Sequence, residues 1–145
     1  MGGRGASSGR YKWRGKWHAY GDEYHSLFTS GNIKFIVLKD DRLTTVAPQE
    51  TMTHGRIYVT IDTKLNVPAY ITYYDNNLKK SKSIDLIVPH NGVLPHVHHG
   101  LDHKENDQPK GYANLTPNER KMVQRVNQLW IEKVRKLCQN YLAKR

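Results

Sequence analysis

RIYVTID, residues 56–62, decides the class of fold. Apolar and polar side chains alternate through it: Ile57, Val59 and Ile61 share one face, Tyr58 and Thr60 the other. A period of two is that of a β-strand. The neighbouring segments repeat the signal. Residues 68–74 (PAYITYY) set Ala69, Ile71 and Tyr73 on one side, and residues 83–88 (SIDLIV) bring Ile84, Leu86 and Val88 into register. Residues 33–39 (IKFIVLK) form a short β-branched run, and residues 43–46 add a candidate edge strand. Residues 63–67 can turn the chain, and Asp75-Asn76-Asn77 is a turn signal because Asn tolerates positive φ. Connections this short predict an antiparallel meander of about four strands.

The chain ends in a helix signal. Thr116-Pro117-Asn118-Glu119 combines an N-cap Thr, a Pro at the first helical position and a Glu at the third, a capping box. Met122, Val126, Leu129, Trp130, Val134, Leu137 and Tyr141 then recur every three or four residues. This stripe is expected to cover one face of the sheet. The predicted class is therefore α+β, an antiparallel meander packed against a long C-terminal amphipathic helix over residues 116–143. Residues 1–10, rich in Gly and Ser, read as a disordered tail, and residues 11–145 as one domain.

Composition narrows the function. Of 145 residues, 37% are apolar, enough for one core. No apolar run approaches the about 20 residues a bilayer helix needs, so no membrane is expected as a partner. The N-terminus has no apolar core of a secretory signal, and the lone Cys138 allows no internal disulfide. Both fit a cytoplasmic setting.

The net charge of +10 is unevenly spread. Residues 1–20 carry five basic side chains and no acid; residues 116–145 carry eight basic and two acidic. The centre is nearly neutral. Basic ends suit a grip on a polyanion, either nucleic acid or a ribonucleoprotein. Residues 11–20 (YKWRGKWHAY) alternate rings with cations, the pattern that stacks single-stranded bases and neutralises phosphate. Packing of Trp13 and Trp17 on the body of the protein is the competing reading. The candidate nucleic-acid-binding residues are Arg4, Arg10, Lys12, Trp13, Arg14, Lys16, Trp17, Arg125 and Lys136.

Five of the eight histidines fall in residues 89–103 (PHNGVLPHVHHGLDH), within a predicted loop over residues 89–110. In an extended segment His96 and His98 project to the same side and His99 to the other. Such a pair can hold one divalent metal such as zinc, with His103, Asp102, His90 or Glu105 as third ligand. The candidate metal set is His96, His98 and His103. A metal-free alternative uses two imidazoles as acid and base on a phosphodiester, with Lys80, Lys82, Lys104 or Lys110 stabilising the developing charge. A solvated, purely structural loop is the third reading.

The series Tyr73-Tyr74-Asp75, residues 79–86 (KKSKSIDL), His90-x-Gly92, Pro95-His96-Val97-His98 and Leu115-Thr116-x-x-Glu119 resembles a group of small histidine-motif domains. They occur in phages and mobile elements of Gram-positive bacteria and at the C-termini of polymorphic toxin-like proteins. The resemblance implies a mobile-element origin and nuclease activity through His90, His96 and His98. The turn at Asp75-Asn76-Asn77-Leu78 departs from it in lacking a glycine. The expected function is thus a nucleic-acid-interacting protein with a histidine-centred nuclease-like site. A non-enzymatic anti-defence inhibitor of the anti-CRISPR type and a minor virion or packaging component are the alternatives.

Overall fold

The computed structural model describes residues 10–13, 16–19, 23–40, 42, 44–87, 95–99 and 115–143. The chain forms two compact units, Met1–Asn114 and Leu115–Arg145.

The described residues of the first unit form two sheets. A hairpin pairs β1 (Arg10–Trp13) with β2 (Lys16–Ala19), in the register Lys12 to Trp17 and Trp13 to Lys16. Arg10 therefore belongs to a strand rather than to the expected tail. The main sheet is six-stranded, in the order β3 (Tyr24–Ser30), β4 (Ile33–Leu38), β5 (Ile57–Ile61), β6 (Pro68–Tyr74), β7 (Lys80–Asp85) and β8 (His96–His99).

The α+β expectation holds, and three details of it change. The main sheet has six strands rather than about four. It is mixed, because β4 and β5 run parallel while every other neighbouring pair is antiparallel. Residues 44–46, the described part of the expected edge strand at 43–46, form no strand. Parallel neighbours need a crossover to return the chain to the starting end. Residues 39–56 make it, without a helix among the described residues, and Pro48, which lacks an N–H, suits such a segment. Tyrosine hydroxyls from the sheet tie it down: Tyr24 donates to the Val46 carbonyl at 2.6 Å and Tyr74 to that of Pro48 at 2.7 Å. Burial first, with Tyr24, Tyr58 and Glu23 nearby, pushes the Tyr74 phenol well above its ordinary value, so it stays a donor.

Register sorts the side chains into two faces. One carries the cross-strand row Phe35, Val59, Ile71, Ile84 and Val97, all buried, with Phe28 stacked on Phe35 at 4.2 Å. The other carries two polar-rich rows. Lys34, Tyr58, Thr72, Ser83 and His98 make the first; Ile36, Thr60, Tyr70, Asp85 and His96 make the second. The crossover covers the β3–β6 part of this second face, over the cluster of Tyr24, Ile36, Leu38 and Tyr58 with Tyr74 beside it.

The second unit is the helix α1 (Pro117–Ala143). Its capping box is formed as expected: Thr116 Oγ1 accepts from the Glu119 amide at 3.2 Å, and Glu119 Oε1 accepts from the Thr116 amide at 2.8 Å. Val126 is buried, but Val134, Leu137 and Tyr141 of the expected core stripe are exposed. Of the stripe only Val126 is buried, while Met122, Leu129 and Trp130 are half-buried. Among the described residues no helix is long and apolar enough to cross a membrane.

Candidate metal centre

The expected histidine loop contains a strand. Residues 96–99 pair with β7 as the edge strand β8, which sets His96 opposite Asp85 and His98 opposite Ser83. Strand alternation then puts His96 and His98 on one side, while His99 is exposed on the other, as the H-x-H spacing implied. Two adjacent antiparallel strands with residues in direct register bring side chains within about 4.5–5.5 Å at Cβ. That is how Asp85, His96 and His98 meet.

One ligand atom from each of these three lies within 4.8 Å of the others. His96 Nε2 stands 2.7 Å from His98 Nε2 and 3.9 Å from Asp85 Oδ2. The two rings meet edge to face, with centroids 4.5 Å apart and planes at 81°. Asp85 Oδ1 accepts from the Ile87 amide at 3.1 Å, which orients the carboxylate and leaves Oδ2 toward the rings. Asp85 is 5% and His96 1% exposed, and His98 is half-buried.

Around this group the face is polar. Thr72 Oγ1 and Ser83 Oγ share a hydrogen bond of 3.2 Å in the row that leads to His98. Tyr70 is the partner of Asp85 on the next strand. Burial, followed by the negative charges of Asp85 and Asp62, pushes the Tyr70 phenol up, so it remains a proton donor beside the carboxylate.

Zinc–nitrogen bonds of about 2.0–2.1 Å put two tetrahedral ligand atoms about 3.3 Å apart. The pair at 2.7 Å would open slightly and the pair at 3.9 Å would close to admit an ion. Among the described residues two imidazoles and one carboxylate converge, and they would leave a fourth position open, the pattern of catalytic rather than closed structural zinc sites. The same donor set also suits other first-row divalent ions.

Of the residues singled out from sequence, His96 and His98 come together. His90, His103, Asp102, Glu105, Lys104, Lys110, Arg4 and Arg14 lie outside the described residues. The third member of the cluster, Asp85, was not among the residues singled out from sequence. Its signal was present in SIDLIV, a lone acid on the side of the strand opposite Ile84 and Leu86. Lys82 does not serve the site: it pairs with His99 and Tyr73, and its ammonium lies 4.5 Å from the Tyr73 ring centroid on the opposite face. Arg10, Lys12, Trp13, Lys16 and Trp17 lie in the β1–β2 hairpin, and Arg125 and Lys136 are exposed on α1. Comparison of the chain with protein-family models, curated proteins and solved structures gives no match.

Proposed function

We propose that the chain binds nucleic acid and cleaves it at a divalent-metal centre held by Asp85, His96 and His98. The observation that carries this reading is the convergence of those three side chains from two paired strands. A metal-free mechanism needs an imidazole on each side of the phosphate. Here the two Nε2 atoms face each other at 2.7 Å, which leaves no room for a phosphate between them. A bound divalent ion lowers the pKa of its water to about 7 and polarises a phosphoryl oxygen, the two tasks a phosphodiester requires. The basic chain ends supply the sequence-independent grip on the polyanion. The proposed setting, taken from the resemblance to mobile-element domains, is the cytoplasm of a bacterial host.

A second reading is favoured by the near-complete burial of Asp85 and His96. The ion would then clip the edge strand β8 to β7, and the chain would be a non-enzymatic protein that grips nucleic acid or a ribonucleoprotein through its basic segments.

One experiment separates them. The protein is incubated with labelled RNA, single-stranded DNA and duplex DNA, with added zinc, manganese or magnesium, or with EDTA. Metal-dependent cleavage that EDTA abolishes, and that His98→Gln removes while the circular dichroism spectrum is unchanged, is the expected result. Zinc that raises the melting temperature without any cleavage selects the second reading. Metal-independent cleavage contradicts both.

A further inference from the structure

β4 carries a lysine between hydrophobic neighbours. Lys34 follows Ile33 and precedes Phe35 and Ile36, and it is 1% exposed. Its Nζ has no hydrogen-bond partner among the described residues. A methionine or leucine would fill the same position without desolvating a charge. A second cation stands beside it. Arg56 precedes β5, two residues before Tyr58, which is the neighbour of Lys34 across the sheet. Arg56 Nε is also buried without a hydrogen-bond partner. No ion pair involves either residue among the described residues.

A buried ammonium and a half-buried guanidinium side by side repel each other. Desolvation first, then the Arg56 charge, lowers the Lys34 pKa. Their surroundings are fixed: the Ile57 amide donates to the Asn32 carbonyl at 2.9 Å, and Tyr58 OH meets Thr51 Oγ1 at 3.1 Å. The pair is thus held in place by the fold, with positive charge and donors in excess.

The geometry points to an anion site in which Lys34 and Arg56 together hold a phosphate group. A tetrahedral oxyanion turns the repulsion between the two cations into two attractions. The Arg fork can bind it through two oxygens and the Lys ammonium through a third. Half-buried Arg56 is the side from which the ligand enters. This site stands apart from the metal centre, at the other end of the polar row that runs from Lys34 to His98, and does not depend on the cleavage proposal.

The test uses the full chain and inorganic phosphate. Melting temperatures are measured over a phosphate titration against sodium chloride of equal ionic strength. A saturable rise of ~2–5 °C in phosphate over chloride is expected. Lys34→Met and Arg56→Gln should each abolish that increment, and Lys34→Met should melt no lower than the parent in chloride. Equal melting in phosphate and chloride overturns the proposal, as does a full phosphate increment in Arg56→Gln, which keeps the test valid should Lys34→Met fail to fold. A deoxythymidine oligomer without terminal phosphates identifies the source of the ligand: competition with phosphate indicates the nucleic-acid backbone, and no competition indicates a free phosphate or phosphomonoester.

Discussion

Along Phe35, Val59, Ile71, Ile84 and Val97 every side chain is hydrocarbon; one residue over, along Lys34, Tyr58, Thr72, Ser83 and His98, every side chain carries a polar atom. Both rows are buried except for half-buried His98. The apolar face is stabilised by area and close packing, which are indifferent to direction. The polar face must satisfy each donor and acceptor, because an unmade hydrogen bond in a dry site costs more than a made one gains. Hydrocarbon on one face holds the strands in place. On the other, that rigidity aims Asp85, His96 and His98 at a common point, and Lys34 and Arg56 at another.

The largest expected difference between the faces lies on β6. Ile71→Ala should cost about 3–4 kcal/mol, as the loss of a fully buried side chain with a cavity left behind. Thr72→Val, its immediate neighbour, keeps the volume and strands only the Ser83 hydroxyl, for about 1–2 kcal/mol. Urea unfolding of both variants measures the comparison. Equal costs would mean that the two faces do not differ as described.

Lys34 provides a test by pH. The unfolded chain holds this proton to about 10.5, whereas the folded chain releases it earlier, because burial and then Arg56 disfavour the charge. Between those two values the unfolded state binds more protons, so stability from this group rises with pH and is lowest where both states are charged. The buried phenols of Tyr58, Tyr70 and Tyr74 have the opposite sign, since their raised pKa values make stability fall above about pH 10. Urea midpoints of the parent and Lys34→Met are therefore expected to approach each other as the pH climbs toward the lysine range. A constant gap would place Lys34 in contact with water.

The alternation in residues 56–62, 68–74 and 83–88 made the two faces legible, as did the capping box of α1. The burial of the polar face was not legible, because Tyr58, Thr60, Thr72 and Ser83 read the same whether water or a crossover lies above them. β3 was missed since YHSLFTS carries no apolar alternation and bulges between Ser26 and Phe28. The parallel step from β4 to β5 followed from the path of residues 39–56, which have no periodicity of their own. At the site, the H-x-H spacing correctly put His96 and His98 on one side. Asp85 stood in SIDLIV as a lone acid, but its meeting with the histidines depends on the β7–β8 register, which the alternation within one strand does not state.

The smallest expected effect concerns the turn that fixes the β6–β7 register. Leu78 holds a left-handed φ of 66° at the place where a glycine was expected. Asp75 Oδ1 accepts from the Asn77 and Lys79 amides at 2.9 and 3.0 Å and holds the turn around it. Leu78→Gly relieves the strain and should raise stability by about 0.5–1 kcal/mol in the same urea assay, leaving both faces unchanged.

X-ray absorption at the zinc edge tests the central claim most directly. Protein loaded with one equivalent of zinc should show two imidazole nitrogens at about 2.0 Å and one carboxylate oxygen. In His96→Ala one imidazole contribution should be lost. A spectrum of water oxygens alone, or one that His96→Ala leaves unchanged, would contradict the assignment of Asp85, His96 and His98 as a metal centre.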